Sequence, residues 1–265
     1  MTAISPGSPG TSRRYRTARR RAGRGTAVAA VCTGLALVLA ACGGSTEDPD
    51  AGTNGVGKLT PAKIRKKTLA AASGAGSVHV SGKLVSGRST YELDMQLAQN
   101  GGKGTVSTKD TTFSLLRIDR SLWVKADADF WAHQKGSSPS KSDTAAAAKL
   151  DGKYVKVPYE DRTYRQFSGF TEKEPLLDTL LTLHGGLSRG AHGSLEGTRT
   201  IRVEAARGNG GTLDVSLEGE PYPLRLQRAG GAGVVTFEDW GEHIELERPD
   251  DDKVVDYGEN LGSGN

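Results

Sequence analysis

The chain has 265 residues, 35% of them hydrophobic and two of them cysteine, with 35 Lys+Arg against 31 Asp+Glu. That length suits one sizeable domain, and two cysteines exclude a multi-disulfide scaffold. Seven arginines and no acid precede Cys42, so residues 42–265 hold 28 basic against 31 acidic residues, net −3; the pI near 9 is no sign of nucleic-acid binding.

The first 24 residues carry Arg13, Arg14, Arg16, Arg19, Arg20, Arg21 and Arg24. Residues 25–46 then hold no charge, with AVAAVCTGLALVLAA at their centre. A basic start, a short apolar stretch and small residues at its end predict a secretory signal peptide over 1–41. An uncleaved span is the competing reading, since about 20 apolar residues cross a bilayer, but Ala, Gly and Thr dilute this one. Either way, everything after Cys42 lies outside the cytoplasm. Leu39-Ala40-Ala41-Cys42 resembles the lipobox of bacterial lipoproteins. The resemblance implies that the Cys42 thiol takes a diacylglycerol and becomes the N-terminus, anchoring the protein to membrane lipid on the extracytoplasmic face of the cell membrane. Two acyl chains are what durable anchoring needs. The export route, general or twin-arginine, stays open.

GGSTEDPDAGTNGVGK follows and has almost nothing to bury, so residues 42–58 are expected to be a flexible tether. Thr60-Pro61 predicts a helix start, threonine as cap and proline at the first helical position. Ile64, Thr68, Ala71 and Ala72 give that helix a thin apolar stripe, with Lys63, Arg65, Lys66 and Lys67 outside. From Ser77 the period becomes two: SVHVSGKLV, TYELDMQL, a weak strand around Val106, TFSLLRI and LWVKA predict an antiparallel meander.

GSSPSKSDT at 136–144 reads as a surface loop. ADADFWAHQ, TAAAAKL and RTYRQFSGF read as short helices or loops, and GKYVKV as an isolated extended piece. EPLLDTLLTL predicts the clearest helix, with Pro175 near its start and Gly185-Gly186 near its end. Strands resume in TRTIRVEAA, GTLDVSLE, PLRLQR, GVVTFEDW and HIELERP. Residues 59–257 thus form one α+β domain, with 258–265 a disordered tail. A sheet with one apolar face needs a cover, and the helices between its two halves supply one.

Four stretches in this order, SVHVSGKL, IDRSLWVKADADFW, EGTRTIRVEA and TFEDWGEHIELERP, resemble the actinobacterial LppX/LprG lipoproteins of LolA-like fold. The resemblance spans Thr60 to Pro249. It implies a strongly curved antiparallel β half-barrel with helices covering the concave face, holding an acylated lipid or similar amphiphile between them. On this reading Leu93, Met95, Leu97, Ile118, Leu177, Leu180 and Leu181 line the ligand site, and binding is burial without bond-making. The alternative is a regulator sensing envelope stress and contacting a membrane signalling protein, by analogy with RseB-type LolA-like proteins.

Catalytic motifs fit less well. Gly186-Leu187-Ser188-Arg189-Gly190 matches G-x-S-x-G, with Asp239 and His243 downstream. A nucleophile elbow needs a strand before the serine and a helix after it, whereas a helix precedes this one and a strand follows. The acid runs at Asp127–Asp129 and Asp250–Asp252 lack the glycine and distal glutamate of a calcium loop. His79, His133, His184, His192 and His243 show no metal-ligand pairing. Trp123, Trp131 and Trp240 read as core or turn anchors. No enzyme activity, cofactor, metal or nucleic-acid partner is expected.

Overall fold

The protein is described from a computed structural model that covers residues 48–133 and 138–256. The signal segment, Cys42 and the 258–265 tail lie outside the described residues. Residues 47–265 make one compact unit, whose buried apolar core, among the described residues, runs from Val56 to Phe237.

The helix α1 (Pro61–Gly74) is followed by five strands linked by short turns: β1 (Ser77–Ser86), β2 (Ser89–Ala98), β3 (Gly101–Ser107), β4 (Thr112–Ile118) and β5 (Ser121–Lys125). Then come α2 (Ala128–Ala132), α3 (Lys141–Ala148), β6 (Tyr154–Val157), α4 (Arg162–Ser168) and α5 (Lys173–Leu180). A second run of strands closes the chain: β7 (Leu187–Leu195), β8 (Thr198–Ala205), β9 (Thr212–Ser216), β10 (Pro223–Gln227), β11 (Gly233–Glu238) and β12 (Val254–Asp256). β11 returns to pair with β1, which fuses the two runs into one open sheet ordered β12-β6-β5-β4-β3-β2-β1-β11-β10-β9-β8-β7. Its pairs are antiparallel except β12 on β6, which is parallel. The fold is α+β, a large antiparallel sheet with a few short helices.

Strand alternation creates the inner face. Val78 and Val80 stand opposite Leu97 and Met95, and Val80 opposite Phe237. Val124 faces Leu115 and Val203 faces Leu213. Removing each such side chain from water stabilises the fold by roughly 1.5–3 kcal/mol. Two glycines in central strands let neighbouring chains come close. Gly82 has φ +136 and Gly104 φ +154, and a Cβ on Gly104 would lie 2.0 Å from the Asp94 carbonyl oxygen and 2.8 Å from Met95 Sδ. Such glycines bend a sheet where other residues would keep it straight.

Four expectations need correction. Residues 48–58 are folded rather than loose: Asn54 Nδ2 donates to the carbonyls of Ser216 and Gly219, both at 3.1 Å. Arg199 donates to those of Ala51 and Gly52, and Val56 is 2% exposed. Polar composition signalled a tether, but backbone hydrogen bonding needs no apolar residues. HIELERP is no strand: after the Asp239–Gly241 turn the chain crosses the outer face. There Lys103 Nζ donates to the Glu245 carbonyl at 2.8 Å and Arg248 lies over the Trp123 ring. The extended piece GKYVKV is not isolated; it is β6, hydrogen-bonded between β5 and β12. The 136–144 loop is interrupted by α3, begun at Lys141 by a capping box of Ser140 and Asp143.

Candidate functional site

The inner face and its cover form the site the sequence points to. Leu93, Met95 and Leu97 project from β2 toward the helices, and Leu177, Leu180 and Leu181 come from α5 and its end. All six are between 0% and 4% exposed. A void large enough for water would leave accessible area on its lining, so these side chains belong to one packed interior. Ile118 does not join them. Register pairs Leu97 with Gly102 and Gly102 with Arg117, so Arg117 points inward and its neighbour Ile118 to the outer face. The Leu115-Leu116 doublet hides the parity of TFSLLRI, and counting from the wrong leucine selects Ile118.

Arg117 is therefore a buried cation on an otherwise apolar surface, 8% exposed. Its Nε donates to Thr171 Oγ1 at 3.1 Å, its Nη2 to the Thr171 carbonyl at 3.0 Å and its Nη1 to the Asp119 carbonyl at 2.6 Å. Burial pushes the nearby Tyr164 phenol up, with Arg117 pulling against it. Lys173, 3% exposed, caps the C-terminal end of α1 by donating to the carbonyls of Ala72, Ser73 and Ala75. A cation there meets the negative end of the helix dipole. Burial pushes the Lys173 ammonium below the ordinary lysine range, while Glu174 pulls it up.

These contacts define how the cover is held. Around α5, among the described residues, polar ties to other elements gather at two places. Thr171, Lys173 and Glu174 bond to Arg117 and to the end of α1. At the other end, His184 and Gly186 exchange backbone bonds with Gly210 and Ala206. The leucines of α5 lie between those ties. Beside them, Phe113 meets Phe167 edge-on at 5.0 Å, and Phe130 bridges Phe113 and Trp131. Trp131 Nε1 is buried without an acceptor.

Clefts open elsewhere among the described residues. One, of about 490 Å3, lies on the outer face under the 242–250 segment, lined by Asp94, Gln96, Lys103, Leu116 and Glu245 among others. Another, of about 450 Å3, runs between α1 and Glu220–Tyr222. A third, of about 280 Å3, reaches Phe237 and Trp240.

Ser188 lies within β7, not in a helix-to-strand loop, and its hydroxyl donates to the Glu204 carbonyl at 3.4 Å. β7 escapes sequence reading because Gly190, Ala191 and Gly193 break its apolar alternation. Asp239 lies 3.7 Å from His79 Nδ1. Trp240 stacks on Tyr222 and donates to the Pro223 carbonyl. Among the described residues no group of three or more His, Cys, Asp or Glu side chains could hold a metal ion.

The chain is similar to solved mycobacterial lipoproteins. LprF from Mycobacterium bovis is 14% identical, with 71% of this chain and 96% of that one covered and a TM-score of 0.47. The Mycobacterium tuberculosis lipoprotein LppX is also 14% identical over 71% of this chain and 98% of that one, TM-score 0.42. An uncharacterized conserved protein from Thermus thermophilus follows at 10% identity, 74% and 98% coverage and TM-score 0.34. No protein-family model matches the chain, and no curated protein matches it.

Proposed function

We propose that this protein is a lipid-anchored extracytoplasmic binding protein that takes up an acylated lipid or similar amphiphile on its inner face. The observation that carries the reading is the attachment of α5: its leucines share one buried apolar core with Leu93, Met95 and Leu97, while its polar ties to other elements, among the described residues, lie toward its two ends at 171–174 and 184–186. Such a segment can lift about those ends, and the leucine and β2 surfaces it parts accept acyl chains by apolar burial, at about 25 cal/mol per Å2. The orphan Nε1 of Trp131 offers a donor to a ligand's ester or hydroxyl oxygen. Chemistry on the ligand is not part of this reading. Cys42, by its lipobox, is the point of attachment.

The packed inner face favours a second reading, a regulator of the same architecture that contacts a membrane signalling protein without carrying lipid. One experiment separates them. Residues 43–265 are produced inside cells without the signal and examined by native mass spectrometry, then offered a labelled phospholipid. Copurified or captured lipid, with faster hydrogen exchange in α5 than in β2, supports the carrier. Empty protein that takes up no lipid rejects it and leaves the regulator.

A further inference from the structure

Helix α1 has a charge distribution its own stability does not explain. Its first two turns hold Lys63, Arg65, Lys66 and Lys67, and its 14 residues contain no acid. Cations near a helix N-terminus oppose the dipole, and Lys63 and Lys67, at i and i+4, repel each other. A merely solvated helix face usually mixes both signs. Here Lys63, Lys66, Lys67, Ala70 and Gly74 make one exposed stripe, three lysines followed by two residues with almost no side chain. Ala70 and Gly74 also line the cleft against Pro221 and Tyr222, with Lys67 at its rim and Glu220 on the other wall.

The same surface is where the chain enters the domain. Lys58, three residues before α1, bonds Asp48 at 2.7 Å, and Asn54 is bonded to Gly219 beside the cleft's Glu220. Because residues 48–58 are fixed on the domain, only residues 43–47 separate Cys42 from it. Six steps of extended chain reach about 20 Å, so an anchored Cys42 keeps this side close to the headgroups. Residues 42–265 are net −3, which by overall charge repels an anionic bilayer. Attraction must then be local.

We propose that the Lys63–Lys66–Lys67 stripe of α1 is a membrane-docking surface for anionic phospholipid headgroups, which lays the domain against the bilayer beside its anchor. The orientation rests on the lipid-anchor reading above; the headgroup affinity does not.

The test uses residues 43–265, without acyl group, and sedimentation with vesicles of phosphatidylcholine alone or containing about one-third phosphatidylglycerol. Partitioning is expected with the anionic vesicles only, and it should weaken as salt shortens the screening length toward about 8 Å. Changing Lys63, Lys66 and Lys67 together to Gln should lower it on the order of a hundredfold, from the attraction of a lysine near such a surface. The equal charge change at Lys109, Lys149 and Lys153 should leave it intact. Folding is checked by thermal denaturation; the first triple variant should be no less stable, since it relieves the dipole. No partitioning, binding that ignores lipid charge, or an equal loss in the control triple variant overturns the surface. The mature protein's mass tests the anchor separately: an acylated Cys42 with a domain that ignores vesicles removes the surface alone. Vesicle binding with an unmodified Cys42 keeps the surface and removes the anchor.

Discussion

Replacing Gly104 by alanine tests whether close strand approach holds β2 and β3 in place. An alanine Cβ there would lie 2.0 Å from the Asp94 carbonyl oxygen, 2.8 Å from Met95 Cα and 2.8 Å from Met95 Sδ. Its φ of +154 is one that residues with a Cβ rarely adopt. The dihedral costs about 1–3 kcal/mol, and displacing buried Met95 adds about 1–3 kcal/mol of overpacking. The expected loss is thus about 2–6 kcal/mol out of a typical stability of roughly 5–15 kcal/mol. Gly152→Ala is the control: φ is +65 and nothing lies within 4 Å of the added Cβ, so only the left-handed penalty of about 1–2 kcal/mol applies. Urea denaturation of both variants of residues 43–265, at unchanged m-value, gives the comparison. Equal losses would refute the collision argument, because the dihedral alone would then account for both.

Lys173→Met keeps the stem and removes the charge. The folded-state pKa of Lys173 is lowered, so between that pKa and the unfolded value near 10.5 the unfolded chain binds more protons and this group's contribution to stability rises with pH. Wild type should therefore gain on Lys173→Met as pH climbs toward 10.5; a difference independent of pH contradicts the assignment. Cys42→Ala should release or mislocalise the protein and block its processing, whereas the mature wild type should start at Cys42 and carry a diacylglyceryl mass. An unmodified Cys42, or a start elsewhere, ends the lipoprotein reading. Ser188→Ala should leave fold and stability unchanged within about 0.5 kcal/mol, as a half-buried serine on an edge strand allows; covalent labelling of Ser188 by a fluorophosphonate would contradict that.

Local pattern alone determined a good deal. Alternation in SVHVSGKLV and TYELDMQL identified β1 and β2 and put Leu93, Met95 and Leu97 on the buried face, because a strand's period of two is intrinsic to its backbone. Thr60-Pro61 marked the start of α1, and the leucines of 176–181 marked a helix face, for equally local reasons. Tertiary structure decided the rest. Whether Ile118 or Arg117 faces inward depends on which carbonyl each strand meets across the ladder, and a doublet of leucines conceals it. Residues 48–58 and 242–250 look loose or strand-like by composition, yet one is bound by backbone hydrogen bonds and the other laid across the outer face, through partners distant in sequence. The pairing of β1 with β11, some 150 positions apart, joins the sheet's two halves, and no local propensity encodes a contact of that range. Closure of the inner face was equally invisible: the same apolar residues line a pocket or fill a core, and only the distance between two layers separates the two.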